Sequence, residues 1–314
     1  MRAVIVQPEK RVAVKDHPVP ELGPEDVLVK VVAAAQNPTD WKFVDFVQKA
    51  GTILGVDFSG VVIAAGSNVA DLTIGTRVAG FVLGGALPDS AFWTAVQALY
   101  HPTRLALAEI PSKLQDGSDE WVFLYGESTS VGLYAIQLLR LSGYKSATVC
   151  SADQFDLVKS LGADVVINRH APDSLQQIRE ATGGKRGFDS ASLQFTVATM
   201  GPAGGRVISL IGQDQEGLKK AVKEGVEVKS TLIYTALGHP FGRYDASVSD
   251  RTHMTAFLRK LPDLVSSGST KPSRVNVWEG PGGEKGLEGV ESALQWMRDG
   301  KVRGEKIVHI ISNA

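Results

Sequence analysis

One stretch limits the fold more than any other. Trp121–Leu124 is a short apolar strand, Gly126–Gly132 is a turn of small residues, and Val131–Ser142 is a helix carrying Leu133, Ile136, Leu138, Leu139 and Leu141. A strand that ends in a glycine turn and runs into a helix presents free backbone amides and a positive helix end, which suits a diphosphate. Gly126 lets the chain turn, Ser128, Thr129 and Ser130 let amides and hydroxyls face a pyrophosphate, and Gly132 allows helix to pack closely on strand. The strict G-x-G-x-x-G spacing is absent, so a plain polar turn remains the alternative reading. The carboxylate of Glu127 must point away from any diphosphate. A serine hydrolase is disfavoured, because no glycine follows Ser128 by two residues.

The flanking pattern repeats the unit. Ala147–Cys150 and Val165–Asn168 read as strands, Phe155–Leu161 and Ser174–Ala181 as helices, and further strands begin at Phe188 and span Arg206–Ile211. Strand and helix alternating at this interval predict a parallel sheet with crossover helices. The first ninety residues differ. Ala3–Val6, Val12–Lys15, Val27–Ala35, Asp57–Ala65 and Gly75–Ala79 read as short strands of a small barrel or sandwich. Ala91–Leu99 has helical spacing. Beyond Gly238 the alternation stops: Met254–Ser266 reads as a helix, Arg274–Trp278 as a strand, Gly286–Gly300 as an amphipathic helix and Lys306–Ile311 as a strand.

Composition excludes several functions. The 33 basic and 34 acidic residues of this 314-residue chain leave no field of one sign for nucleic acid or an anionic membrane. The single cysteine, Cys150, rules out an intrachain disulfide and a Cys-rich zinc site, and the six histidines are scattered, so no metal is expected. No uncharged apolar run reaches the roughly 20 residues of a membrane helix, and the first residues lack the pattern of a signal peptide. A cytoplasmic location is the default.

The end of the second strand selects the ribose. NAD sites place an acidic residue there; here the strand ends at Cys150-Ser151-Ala152, with Asp153 two residues past Ser151. Ser151 can donate to a 2′-phosphate, and Arg169, just past the third strand, can add positive charge or sit as a plain surface cation. NADPH is favoured over NADH.

Four segments then carry a resemblance. Gly55-Val56-Asp57-Phe58-Ser59-Gly60-Val61-Val62, Gly75-Thr76-Arg77-Val78, the Gly126 turn and Gly304-Glu305-Lys306-Ile307-Val308 resemble the zinc-free medium-chain dehydrogenase/reductases of quinone-oxidoreductase type. Asn37-Pro38-Thr39-Asp40-Trp41-Lys42, Leu138–Tyr144 and Cys150-Ser151 with Phe155-Asp156-Leu157 are similar to the fungal trans-acting enoyl reductases of polyketide biosynthesis. The resemblance implies an α/β fold: a Rossmann doubly wound parallel sheet plus a GroES-like β-barrel catalytic domain. The expected boundaries are 1–92 for the first part of the catalytic domain, 93–237 for the NADPH-binding domain and 238–314 for the return to the catalytic domain.

It also implies a site. Thr39, Asp40, Trp41 and Lys42 would contact the cofactor, as would Ser128, Thr129, Ser130 and Val131 after Gly126. Ser151, Ala152, Asp153 and Gln154 would meet the ribose, joined by Arg169, Leu210, Ile211, Val302 and Arg303. Arg169 stands where the family often has tyrosine. The substrate would face Ala91, Phe92, Trp93, Thr94, Ala95, Val96, Gln97 and Ala98, and on another segment Thr231, Leu232, Ile233, Tyr234 and Thr235. Lys42 and Thr94 are the catalytic candidates, Lys42 as a bond to the nicotinamide ribose or as a counter-charge for a developing enolate.

One departure stands out. After Gly80–Gly85 the family continues with a few dozen further barrel residues, whereas here Ala86-Leu87-Pro88 leads directly to Phe92-Trp93-Thr94. A shortened barrel would expose a sheet edge and admit water. The leading expectation is an NADPH-dependent reduction of an enoyl thioester held on a carrier protein, with the carrier's polyketide synthase as partner and the enzyme a monomer or homodimer. A free-standing quinone or alkenal reductase and a non-catalytic NADPH-binding homologue are the alternatives.

Overall fold

A computed structural model of the chain describes residues 1–47, 49–81, 91–110, 119–126, 129–189, 192–210, 223–238, 240 and 244–312. The chain forms two compact units, one spanning Ala91–Ser273 and the other assembled from Met1–Ser90 and Arg274–Ala314.

The two-ended unit begins with an antiparallel hairpin of β1 (Arg2–Gln7) and β2 (Arg11–Asp16). β3 (Val27–Ala35), β4 (Asp57–Ala65) and β5 (Arg77–Phe81) then run antiparallel, with register shifts at Leu28/Val29 and Val31/Ala33. Gly60 marks a close approach of β4 to β3: a Cβ there would lie 2.2 Å from the Lys30 carbonyl oxygen, so no larger residue fits. Between β3 and β4 the chain winds through a short helix, α1 (Pro38–Lys42), and a wide helical turn over Phe43–Val47 that buries Phe43 and Val44.

The central unit opens with α2 (Ala91–Tyr100). Its sheet comprises β6 (Trp121–Tyr125), β7 (Lys145–Cys150), β8 (Val165–Asn168), β9 (Arg186–Asp189), β10 (Gly205–Ser209) and β11 (Val226–Ser230), paired in parallel in the order β8-β7-β6-β9-β10-β11. In the sheet's own count this is 3-2-1-4-5-6, the doubly wound Rossmann order. The crossovers are α3 (Ser130–Leu141), α4 (Phe155–Ser160), α5 (Ser174–Thr182) and α6 (Leu193–Thr199). Both faces are covered, which is why β6 is apolar along its whole length. Phe123 packs with Val149, Ile167 and Ile178 on one face, while Val122 and Leu124 are fully buried on the other. The unit ends with α7 (Val248–Leu258) and α8 (Leu261–Ser266). Phe257 of α7 stacks on Tyr100 at a ring distance of 5.6 Å, and the Tyr100 hydroxyl donates to the Leu138 carbonyl at 2.9 Å.

The chain then returns to the first unit through β12 (Arg274–Val277), α9 (Val290–Arg298) and β13 (Glu305–Ile310). β13 pairs in parallel with β12 and antiparallel with β3, completing a five-stranded sheet in the order β12-β13-β3-β4-β5. Val290 and Leu294 of α9 bury against Val4, Val6, Phe43 and Leu54.

Several elements differ from the sequence reading. The helix expected over Met254–Ser266 is two helices: Ser247 caps α7 by accepting from the Asp250 amide, and Pro262, which has no N–H to donate, sits at the start of α8. The helix expected from Gly286 begins as a tight 3₁₀ turn over Gly286–Gly289. Residues 238–273 group with Ala91–Ser273, so the return to the two-ended unit comes at Arg274, not at 238. The shortened segment after Gly85 lies outside the described residues.

His309 on β13 is 1% exposed. Burial pushes its imidazole down to about 4 from an ordinary 6.5, against a smaller opposing pull from the Gly286 backbone. Between those two values the unfolded chain takes up a proton that the native state refuses. Unfolding free energy is therefore expected to fall by about 3 kcal/mol as pH drops from 6.5 to 4, and to be unaffected by this group above pH 6.5. Urea unfolding of wild type and His309→Gln across this range checks it; parallel pH profiles for the two proteins would count against a buried neutral imidazole.

Candidate functional site

The carboxyl ends of parallel strands, at the point where strand order reverses, are where doubly wound sheets hold ligands. In the central unit that point lies between β6 and β9, and the elements after β6 are shaped accordingly. Gly126 ends the strand at φ +84°, a conformation reserved in practice for glycine. Thr129 fastens the turn: its N–H and hydroxyl both donate to the Gly126 carbonyl, at 3.0 and 2.6 Å. Its hydroxyl oxygen accepts from the Gly132 N–H at 3.2 Å, capping α3. The first-turn amides of Ser130 and Val131 have no acceptor within the helix and share its positive end. The Val131 side chain is buried, so this residue offers its backbone alone. Ser128, like Ile211, lies outside the described residues.

The second and third strands end side by side. Cys150 pairs with Asn168, so Ser151 and Arg169 are the first residues beyond neighbouring strands. The Arg169 N–H donates to the Cys150 carbonyl at 3.0 Å, clamping the two exits together. The Arg169 guanidinium is exposed and donates from Nε to His170 Nε2 at 3.0 Å. Ser151 precedes a 3₁₀ turn over Ala152–Gln154 and makes no capping bond with its side chain. Asp153 is exposed and accepts from the Gln154 side-chain amide at 2.8 Å.

Sequence reasoning missed the next exit. Asp189, fully buried at the end of β9, accepts from the Ser192 N–H at 2.6 Å and the Ser209 hydroxyl at 3.0 Å. The Leu210 N–H donates to its carbonyl at 2.8 Å. The Asp189 carboxylate thus ties the ends of β9 and β10, and its backbone carbonyl holds half-buried Leu210 beside them. The only signal in the sequence was an aspartate closing a strand next to small residues.

Of the substrate-facing candidates on α2, Phe92 and Thr94 keep partial exposure, whereas Ala91, Trp93, Ala95, Val96, Gln97 and Ala98 are buried. Phe92 meets Tyr134 edge-on at 5.5 Å. Thr231 is also buried, its hydroxyl donating to Gln97 Oε1 at 2.5 Å. Ile233 and Tyr234 pack inward, and Leu232 and Thr235 stay partly exposed. The Thr235 hydroxyl donates to buried Asp250, which also lies 3.2 Å from His101 Nε2 and 3.7 Å from Arg104 Nη2. Burial holds the His101 imidazole below its ordinary range despite the attraction of Asp250.

In the two-ended unit, three of the sequence segments singled out above meet. Asn37, fully buried, donates from its side-chain amide to Asp57 Oδ2 at 2.9 Å and accepts from the Lys306 ammonium, which itself lies 2.9 Å from Asp57. The Asn37 N–H donates to Asp40 Oδ2 at 2.7 Å. Asp40, 1% exposed, therefore turns inward to cap α1. Lys42 at the far end of α1 is exposed, its ammonium 5.8 Å from the Trp41 ring, and Thr39 and Trp41 are half-buried. Val302 packs against Trp278, Ala293, Met297 and Ile307, and Arg303 is exposed.

The chain was compared with known proteins. Residues 23–89 match the family "Alcohol dehydrogenase GroES-like domain" and residues 130–199 the family "Zinc-binding dehydrogenase". The trans-enoyl reductase mpsG of Macrophomina phaseolina is 34% identical over 342 aligned positions, covering 94% of this chain and 93% of the relative. The trans-enoyl reductase ACTTS2 of Alternaria alternata is 32% identical, covering 99% and 98%. Both alignments are longer than the chain, so each relative carries residues with no counterpart here. Among solved structures, the quinone oxidoreductase of Coxiella burnetii superposes with a TM-score of 0.71 at 23% identity, covering 99% of both chains. The CurK enoyl reductase gives 0.71 at 17% identity, also covering 99% of both.

Proposed function

The chain belongs to the trans-enoyl reductases, within the GroES-like medium-chain dehydrogenase/reductases, and on that premise we propose that it is an NADPH-dependent enoyl reductase working in trans on an α,β-unsaturated polyketide thioester. The thioester would be held on a carrier protein of a separate polyketide synthase. The observation that carries the reading is the strand–Gly126–α3 turn with its Thr129 cap, seated where the sheet order reverses.

The residues present fit a nicotinamide dinucleotide. The Ser130 and Val131 amides would hold the diphosphate, and the clamped pair Ser151 and Arg169 would hold the ribose 2′-phosphate. No carboxylate stands in the first position beyond β7 to prefer a bare ribose hydroxyl. When bound, the reduced nicotinamide supplies the hydride that the β-carbon of the enoyl thioester accepts. The work left to the protein is electrostatic and positional. The Lys42 ammonium lowers the cost of negative charge developing on the thioester carbonyl while the α-carbon awaits its proton. Thr94 and Thr235 orient the acyl chain with their hydroxyls, Thr235 being held in turn by Asp250.

The test is to mix the protein with NADPH and either an enoyl thioester of a phosphopantetheine mimic or a free quinone, following loss of NADPH absorbance. Turnover of the thioester at least about tenfold more efficient than that of quinone supports the reading. The reverse preference would make it a free-standing quinone reductase. Cofactor binding with no hydride transfer to either acceptor would make it a non-catalytic homologue.

A further inference from the structure

The two-ended unit holds a half-open cavity of about 210 Å³ to which the proposed reaction gives no role. Its walls include Val4, Val31, Leu54, Leu287 and Val290. An apolar cavity of roughly 150 Å³ is large enough to take up benzene. This one is not wholly apolar, because Arg2, Gln36, Asp40 and His309 also line it. His309 and Ala34 are paired across β13 and β3, and Gln36 lies two residues beyond Ala34, so all three lie on one face of the sheet.

The polar groups are built in rather than incidental. Gln36 is 5% exposed and His309 1%. The Gln36 side-chain amide donates to the Val290 carbonyl at 3.1 Å, which leaves Oε1 without a hydrogen bond. Neither ring nitrogen of His309 makes one of ordinary geometry, although the Gly286 backbone lies near the ring. Buried polar atoms in this condition are costly to the fold unless something meets them. A hydroxyl answers both: it donates to Gln36 Oε1 and accepts from the N–H of a neutral imidazole. Asp40, a further polar wall, has Oδ2 engaged by the Asn37 backbone N–H. A ligand carboxylate would give up water for a lining that sets Asp40 against it and whose one guanidinium, Arg2, is already paired with Glu288.

We propose that this cavity is a binding site for a small neutral molecule with an apolar body and one hydroxyl, of the size of a phenol. It shares only Asp40 with the residues assigned to cofactor contact, and here Asp40 disfavours anions. Isothermal titration of the full-length protein with phenol, toluene and benzoate tests it. Phenol is expected to bind one-to-one, toluene at least about tenfold more weakly for want of the bonds to Gln36 and His309, and benzoate not at all. Ala34→Leu, which fills the cavity without removing a polar group, should abolish the phenol heat. Gln36→Leu should reduce the preference for phenol over toluene. The proposal is overturned if toluene matches phenol, if benzoate binds as well as phenol, or if Ala34→Leu binds phenol undiminished. It is equally overturned if phenol fails to bind up to its solubility limit, as expected when water alone meets Gln36 and His309.

Discussion

Lys42→Ala is expected to slow reduction of an enoyl thioester by about 10²-fold while leaving NADPH affinity within about threefold. The split follows from where the residue sits. Lys42 is exposed at the end of α1, its ammonium lies 5.8 Å from the Trp41 ring, and among the described residues it forms no ion pair. Removing it leaves the α1 cap, the Asn37–Asp40 bond, untouched, so the fold should not suffer. The lost interaction is one made to charge that develops only in the transition state, which lowers kcat rather than raising KM. Lys42→Arg, retaining the charge, should recover part of the rate. Unchanged turnover in Lys42→Ala would take the residue out of the chemistry.

Ser151→Glu should weaken NADPH binding by roughly 10²-fold and leave NADH binding within a few-fold. A carboxylate a few ångströms from a phosphate costs up to about 4 kcal/mol at the effective dielectric of a protein surface, reduced by salt. About 2.7 kcal/mol of that surviving corresponds to the stated factor. Arg169→Ala, which removes an exposed cation, should cost about tenfold. Fluorescence titration with both dinucleotides reads the result. An undiminished NADPH affinity in folded Ser151→Glu protein would refute the ribose assignment and leave the diphosphate turn to stand on its own.

Much of the fold was legible because its signals are local. β3 and β4 are dense in valine, alanine and isoleucine and bounded by turn residues, and their limits match the reading residue for residue. The parallel sheet followed from apolar strands that must be covered on both faces. β11 was missed: Val226-Glu227-Val228-Lys229-Ser230 alternates with charge because it is an edge strand with one partner. α6, seven residues of mixed polarity, was missed for want of a periodic stripe.

The site was legible in pieces. The diphosphate turn is contiguous and could be read. Asp189 and Ser209 touch only because β9 and β10 are neighbours, and no spacing in the chain announces that. Asp40 sits in a segment picked out for cofactor contact, yet its carboxylate folds back on the Asn37 amide. Sequence shows which residues share a segment but not which way each one turns. Asn37, Asp57 and Lys306 are drawn from three distant segments, and their meeting needs β13 to lie against β3.

That last contact orders events during synthesis. β13 follows the whole Ala91–Ser273 unit along the chain, and until it emerges the amino-terminal strands lack the neighbour that supplies Lys306 to Asn37. The Ala91–Ser273 unit has all its strands by then. A nascent chain can therefore complete the parallel-sheet unit while the knot of Asn37, Asp57 and Lys306 beside α1 is still untied.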